Sequence, residues 1–352
     1  MVNFNPQISL FINNQEFIFW TRIKVRRRSK SISSLEVTIP NRLGQFTSKF
    51  AKDQPVQLFA TWGTGASPFW SGNVDSIRRN AERHGDIQLW CRDPVRIYEA
   101  ERTVDDLFNP YYQFTGNYLG LMQDMNSKVS APLSLAASLS STDFEIFKEY
   151  SNRKTLQEFI DAATYGGYDW FFSGVQEKLV IREPRELTDQ NKVRTFILGD
   201  PNDFASVDLT NFAFLLSDSV STDYSDTYNR IFASGPSTSG LSYIFPPEMP
   251  QKPREQVLQN DAWVTQNSLI QVATNYYNDH RFGRTSVSIG LLHGQEGMEV
   301  GDIIFCDDAF YGLSLLPTKL FRIIEIDDTF TKAGWNSQFQ LGDFKPTLAD
   351  FL

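Results

Sequence analysis

The chain has 352 residues, 41% apolar and 21% charged, which is enough apolar material for two or three packed cores and too much for a disordered chain. Twenty-nine Phe against two Cys (Cys91 and Cys306) leave stability to the burial of large side chains and exclude a disulfide framework; with three His (His84, His280, His293) the thiols also make a poor ligand set, so no metal or cofactor is expected. A net charge of −9 argues against holding DNA by phosphate neutralisation, but suits the wall of a passage along which a repelled backbone slides.

Met1 to Pro6 lack the charged start and apolar run of a secretory signal, so the chain is expected to begin as mature protein. The longest apolar run, residues 212–216, is far shorter than the roughly 20 residues that cross a bilayer, and no membrane insertion is expected. Over residues 7–25 apolar side chains recur with strand spacing: Ile8, Leu10 and Ile12, then Phe17, Phe19, Ile23 and Val25, with Asn13-Asn14 as the turn of a predicted hairpin. Leu35, Val37 and Ile39 continue the period of two to Pro40, which cannot donate to a ladder. Val56, Leu58 and Ala60 predict the next strand. The Gly63-Thr64-Gly65 turn returns the chain to Phe69-Trp70-Ser71-Gly72, and Val74 and Ile77 lead through a polar turn (residues 78–86) to Ile87, Leu89 and Cys91. Five or six antiparallel strands within about ninety residues predict a small barrel or sandwich.

Residues 152–166 are predicted helical, because Leu156, Phe159, Ile160 and Ala163 share one face and Gly166-Gly167 supplies a stop. Residues 168–172 and 178–181 then form a predicted hairpin through Ser173-Gly174. Pro236, Pro246, Pro247, Pro250 and Pro253 make residues 235–253 a predicted surface crossover loop, in preference to a segment docked on a partner. A second helix, opened by Asn267 or Ser268, carries Leu269, Val272, Ala273 and Tyr276.

After Gly283 the first pattern returns. Val287 and Ile289 alternate, Glu299-Val300-Gly301-Asp302 precede Ile303 and Phe305, and Ile323 and Ile326 stand where Val74 and Ile77 stood. Ile77 to Gly85 and Ile326 to Gly334 are both eight residues, after which Phe339 and Leu341 take the places of Ile87 and Leu89. Identity is low, so the match is one of pattern. The expected fold is mainly β, in the α+β class. Two similar antiparallel β-barrel domains, residues 1–98 and 180–352, flank a small mixed α/β domain at residues 99–179, with the Pro-rich crossover and its helix (residues 235–282) inserted in the second barrel.

Acidic pairs at Asp105-Asp106, Asp307-Asp308 and Asp327-Asp328 raise the idea of a two-carboxylate cell-wall hydrolase. Adjacent residues on a strand face opposite ways, however, and strand ends or turns account for such pairs. The sequence has no glycine-rich phosphate cradle, nucleophile elbow or metalloprotease helix motif, and its His have no Ser or Cys partner pattern, so no catalytic residue is expected. The sharpest charge feature is the basic run Arg22, Lys24, Arg26, Arg27, Arg28 and Lys30. Alternation of Ile23 and Val25 with Arg22, Lys24 and Arg26 puts these charges on one strand face, which is solvated or set against an acidic neighbouring subunit, with nucleic acid the least favoured partner. Arg22, Lys24, Arg26 and Arg28 are the candidate subunit contact. The apolar tail, residues 345–352, reads as tucked against a neighbour or frayed.

Several stretches carry a family resemblance by their order. They are Ser34-Leu35-Glu36-Val37-Thr38-Ile39-Pro40, the strand start Asp53-Gln54-Pro55-Val56-Gln57-Leu58, and the aromatic-x-x-Gly-x-Val step in Phe69-Trp70-Ser71-Gly72-Asn73-Val74. Lys154-Thr155-Leu156-Gln157-Glu158-Phe159-Ile160 with Gly166-Gly167-Tyr168-Asp169-Trp170 follow, then Asp226-Thr227-Tyr228-Asn229-Arg230-Ile231 with Ser234-Gly235, and Glu299-Val300-Gly301-Asp302-Ile303-Ile304. Over nearly its whole length the chain resembles the tail baseplate hub proteins of contractile-tailed phages of the Mu-like, late-control gene D type. The resemblance implies tail-tube-like barrels and a homotrimeric ring whose two barrels per chain give pseudo-sixfold symmetry. Such a ring joins the sixfold tail tube protein or tube terminator above to the threefold central spike protein below, with other baseplate proteins at its periphery. The resemblance further implies that DNA passes through the lumen without sequence-specific binding, and that the protein resides in the virion after assembly in the host cytoplasm. The described family pattern does not cover residues 111–142 or the Pro-rich crossover. The alternatives are the equivalent hub of a contractile injection system, or a tail-associated cell-wall hydrolase or adhesin, for which no room is expected after the second barrel.

Overall fold

Alternating apolar residues in the N-terminal part form strands that bury one face, as their period of two dictates. The fold is that of a computed structural model, which describes residues 6–61, 68–79, 85–101, 111–138, 146–151, 154–166, 168–182, 194–197, 212–223, 225, 227–280, 284–291, 294–307 and 320–343. β1 (Gln7–Ile12) turns through Asn13 and Asn14, both left-handed at φ 53° and 61°, into the short β2 (Gln15–Glu16); asparagine tolerates that conformation in a two-residue hairpin turn. The hairpin is shorter than predicted: Phe19 lies beyond it and is 52% exposed. β3 (Arg22–Arg28) pairs instead with β4 (Ser34–Ile39), and β5 (Pro55–Thr61), β6 (Trp70–Arg79) and β7 (Ile87–Arg92) complete an antiparallel order β3-β4-β7-β6-β5-β1-β2. The predicted alternating residues, among them Leu10, Ile23, Val37, Leu58, Val74 and Leu89, form its core.

A single 3-10 turn (Pro94–Arg96) and α1 (Ile97–Ala100) lead away from β7. Asp93 caps the turn, accepting from the Val95 N–H (2.9 Å) and, across the core, from the Ser33 N–H (2.7 Å). Burial disfavours its charged form and, against these hydrogen bonds, pushes its pKa up to about 7.

The middle of the chain contributes β8 (Tyr111–Gly116), α2 (Tyr118–Lys128), β9 (Leu135–Ser138), β10 (Ile146–Ser151), α3 (Thr155–Gly166), β11 (Asp169–Ser173) and β12 (Lys178–Arg182). The apolar face predicted for α3 is the packed one: Phe159 and Ala163 are buried, and Phe159 meets Trp170 edge-on at 5.4 Å. β11 and β12 form the predicted hairpin, and β9 adds to it in parallel. β13 (Arg194–Ile197) and β14 (Phe212–Asp223) then precede a small sheet of β15 (Arg230–Ser234), β16 (Ser242–Phe245) and β17 (Glu255–Gln259), against which α4 (Gln266–His280) packs.

Two expectations are corrected here. Residues 235–253 are not loop throughout, because the window between Pro236 and Pro246 is free of proline and β16 uses its backbone donors to pair with β15. α4 opens earlier than Asn267 or Ser268, since the Thr265 side chain accepts from the Ser268 N–H at 3.1 Å and so serves as the cap. Ile231, Trp263, Leu269, Val272 and Ala273 from this segment share one core with Tyr98, Phe159 and Trp170.

β18 (Arg284–Leu291), β19 (Ile303–Asp307), β20 (Leu320–Thr331) and β21 (Gly334–Asp343) complete the chain. They run β19-β13-β14-β18-β21-β20, with a further pairing of β19 with β20. β13 is parallel to both β14 and β19, which corrects the expectation of antiparallel pairing throughout. Residues 198–211 separate β13 from β14, and β19 comes from far along the chain, so no tight turn dictates direction.

Both halves have one strand order, β1-β5-β6-β7-β4-β3 in the first and β13-β19-β20-β21-β18-β14 in the second. The three-residue spacings Val74 to Ile77 and Ile323 to Ile326 depart from a period of two because each strand has a bulge, between Val74 and Ser76 and between Ile323 and Glu325. The segment beside each bulge is built alike. Asp53 and Gly301 are left-handed (φ 67° and 83°) and donate to the Val74 and Ile323 carbonyls at 2.8 and 2.7 Å; Val74 and Ile323 donate back to Gln54 and Asp302, both at 2.9 Å. Ile77 faces Leu89 and Ile326 faces Phe339, so Phe339 matches Leu89 and Leu341 matches Cys91, two residues on from the predicted match to Ile87 and Leu89. Cross-strand register sets the equivalence, and distance to the turn glycine does not.

Asp93 makes stability depend on pH. Its folded pKa lies above the ordinary 3.8, so its contribution is complete below that value and is lost as pH rises through about 7. In melting curves from pH 4 to 8, the Tm of the parent protein should fall relative to that of Asp93→Asn across this window; a constant difference would refute the assignment.

Candidate assembly interface

β20 belongs to both halves. Leu320, Phe321 and Arg322 pair with β19, whereas Glu325 to Thr331 pair with β3 from Arg28 back to Arg22, joining all the strands of the two halves in one thirteen-stranded sheet. The bulge makes the exchange possible, because its extra residue bends the strand and increases its twist, carrying the edge from one partner to the other.

Side chains on the solvent side of this seam form an ionic ladder. Lys24 lies 3.0 Å from Asp327, Arg26 holds Asp327 through two nitrogens (2.8 and 3.0 Å) and reaches Glu325 at 3.1 Å, and Arg28 reaches Glu325 at 2.7 Å. Burial opposes the charge on Asp327, but the hydrogen bonds and positive charges of Arg26 and Lys24 outweigh it and hold its pKa below the usual value. Three of the four residues expected at a subunit contact are thus engaged by acids of their own chain. The fourth, Arg22, is exposed at the start of β3, opposite Thr331.

Arg27 is on the other face. It shares parity with Ile23 and Val25, points toward the core and is 9% exposed. It donates to Asp328 Oδ2 at 2.7 Å and to the Met298 carbonyl at 3.0 Å, and its guanidinium lies 4.5 Å from the Phe69 ring centre. Asp328, fully buried, also accepts from Trp335 Nε1 (3.0 Å) and from the Ser337 hydroxyl. Phe330 and Trp335 come from the second half but belong to the first half's core, meeting Phe69 edge-on at 5.5 and 5.3 Å. The run of basic residues drew attention to this strand, but the buried pair was missed; the signal was Arg27 continuing the apolar parity, with Asp328 preceding Phe330 by two.

Ion pairs also fasten the middle core to the second half. Buried Asp169 accepts from Arg322 (2.7 Å) and from the Ser29 hydroxyl (2.8 Å). Arg182 lies 3.4 Å from Asp302, over the Phe171 ring at 5.1 Å, and Phe171 itself packs into the second half's core.

Among the described residues the other candidate groups do not converge. Asp327 and Asp328 lie within β20, not at a strand end, and face opposite ways as adjacent strand residues do; Asp307 ends β19. Asp105, Asp106, Asp308, His84, His293 and the tail residues 345–352 lie outside the described residues. His280 ends α4, stacked on Tyr276 at 3.9 Å. Burial pushes the Cys91 thiol pKa up, away from reactivity. A groove of about 620 Å³ between the first half and α1 is lined by ion pairs, Arg92 with Asp75 at 3.1 Å and Arg96 with Asp53 at 2.6 Å. Among the described residues no three His, Cys, Asp or Glu are grouped to hold a metal.

No protein-family model and no curated protein sequence matches the chain. Solved structures do share its fold. A tail protein from Neisseria meningitidis MC58 superposes with a TM-score of 0.70 at 10% identity, over 96% of this chain and 97% of its own. A 43 kDa tail protein of prophage MuSo2 from Shewanella oneidensis gives 0.67 at 12% identity, over 96% and 98%. An E. coli component of the type VI secretion system, described as structurally similar to tail proteins of bacteriophage T4, gives 0.59 at 8% identity, over 96% and 79%. The chain therefore has the fold of these phage tail proteins and of the type VI secretion component, mostly β with one large sheet.

Removing one partner of the seam's buried pair leaves the other charge without compensation. Arg27→Met and Asp328→Leu are each expected to cost about 3–5 kcal/mol, whereas the double replacement should recover most of it. Urea unfolding of the four proteins checks this; single and double losses that simply add would show that the pair is not coupled.

Proposed function

We propose that the chain is the structural hub of a phage tail baseplate, a non-enzymatic protein that assembles as a trimeric, pseudo-sixfold ring. The observation that carries the reading is the repeated six-strand order, with matching bulges and matching left-handed residues at Asp53 and Gly301. Two like modules per chain let three chains present six like surfaces to a sixfold tube while keeping threefold symmetry for a spike. In this reading each half is a tail-tube-like barrel, within residues 1–98 and 180–352, and residues 99–179 form the middle domain, whose core also takes in the sheet and helix inserted at residues 230–280. The tail tube protein or its terminator lies above, the central spike below and other baseplate proteins outside. The net charge of −9 keeps the wall of the lumen from gripping DNA as it passes. The contact expected of Arg22, Lys24, Arg26 and Arg28 with a neighbouring subunit belongs to the same proposal, although the acids of β20 already neutralise much of that ladder.

A second reading, the equivalent hub of a contractile injection system, draws on the likeness to the type VI component. The protein would be found in DNA-containing virions in the first case and in DNA-free tubular particles in the second. Assembly itself is tested by light scattering in the micromolar range, alone and with tube or spike protein added. A mass of three chains, with six like lobes around the ring in projection images, is expected. A monomer under every one of these conditions would overturn both readings.

A further inference from the structure

The seam that joins the two halves within a chain uses two strand edges: β20 beyond its bulge, and β3 on the side away from β4. Because the halves share one strand order, each edge has a counterpart in the other half. The counterpart of the β20 edge is β6 beyond its own bulge, Ser76 to Arg79; that of the β3 edge is β14 on the side away from β18. β5 pairs with β6 only as far as Asn73, and β13 pairs with β14 only at Phe212, Ala213 and Phe214. Beyond those points no strand among the described residues pairs with either edge. Each presents a row of backbone donors and acceptors, which an isolated chain leaves as a template for another strand.

We propose that the ring closes by repeating the internal seam between copies of this chain, the β6 edge of one pairing antiparallel with the β14 edge of the next. This rests on the ring reading above and names the surfaces that make it. The ladders supply the register. Ile77 matches Ile326, each facing the matched pair Leu89 and Phe339. Val25 matches Val220, since they pair with Leu35 and Val287, which in turn pair with Cys91 and Leu341. Glu325, Ile326 and Asp327 face Arg28, Arg27 and Arg26 within the chain. Ser76, Ile77 and Arg78 therefore face Asp223, Thr222 and Ser221 of the neighbouring copy.

Charge supports the same pairing with its signs exchanged. Within the chain the β3 edge is basic and the β20 edge acidic. In the second seam the β6 edge ends in the exposed Arg78 and Arg79, whereas β14 has Asp218 and Asp223 and no Lys or Arg. A β6 edge set on β3 would place arginine against arginine, and a β14 edge set on β20 would place acid against acid. Only the order that alternates first and second halves avoids repulsion. Such a head-to-tail contact uses two different surfaces, the kind of contact that forms a ring where its rotation closes, unlike a twofold contact.

The test places cysteines at the facing positions, Arg78→Cys with Ser221→Cys in one chain, and oxidises with copper–phenanthroline. A covalent ladder up to the trimer on a non-reducing gel is expected, and the parent chain, with Cys91 and Cys306 only, should give none. As a second measurement, Arg78→Glu should weaken the trimer at least about tenfold, or about 1.4 kcal/mol, and adding Asp223→Arg should restore it. If light scattering finds the trimer in every variant but no link forms and Arg78→Glu has no effect, the seam is wrong and the ring stands. If the parent chain is monomeric throughout, the ring reading falls and the seam with it.

Discussion

Arg27 and Asp328 are 301 positions apart in the chain and are both withdrawn from water where the two halves meet. Two buried charges tolerate that position only if each is paired and its remaining hydrogen-bonding capacity is used. Asp328 achieves this with Arg27, Trp335 and Ser337; Arg27 donates to the Met298 carbonyl and lies over the face of Phe69, and among the described residues only its Nε is left without an acceptor. These partners come from both halves, so the pair is complete only when β3 lies against β20 in one register. A one-residue slip would turn Arg27 to solvent and bring Arg26 into the core.

The bulge in β20 and the core that crosses the seam follow from the same constraint. β20 has to leave β19 to meet β3, and Phe330 and Trp335 follow it into the first half's core. Charges are used in the same way where the middle core meets the second half, through Asp169 with Arg322 and Arg182 with Asp302. Ion pairs at the joints demand specific geometry, whereas apolar cores tolerate sliding. Such pairs therefore define the geometry of the joints more than they add net stability.

Duplication relates that internal seam to assembly. Each half carries an edge like β3 and an edge like β20, and the chain satisfies one edge of each half internally. In the proposed seam, the opposite charge signs on the remaining edges would let like modules associate in one order, without a separate device to block the wrong one.

Much of this was legible in the residues. Alternation placed Ile23, Val25, Leu35, Val37, Val56 and Leu58 in the core, spacing on one helical face placed Phe159 and Ala163, and the repeated three-residue steps at Val74 and Ile323 marked the duplication. Other features were out of reach. Strand alternation reports which face of a strand is apolar, because side chains leave the backbone on alternate sides, but says nothing of which strand lies alongside. Hence the basic run read as a solvated or intersubunit face, and its acidic partners in β20 came to light only with the fold; the parallel placement of β13, and the joining of α4 and its sheet to the middle core, were hidden for the same reason. The sequence by itself determined the local periods, the turns and the two like modules. Tertiary structure decided which edges meet, because that choice depends on backbone hydrogen bonds and buried charges between residues hundreds of positions apart.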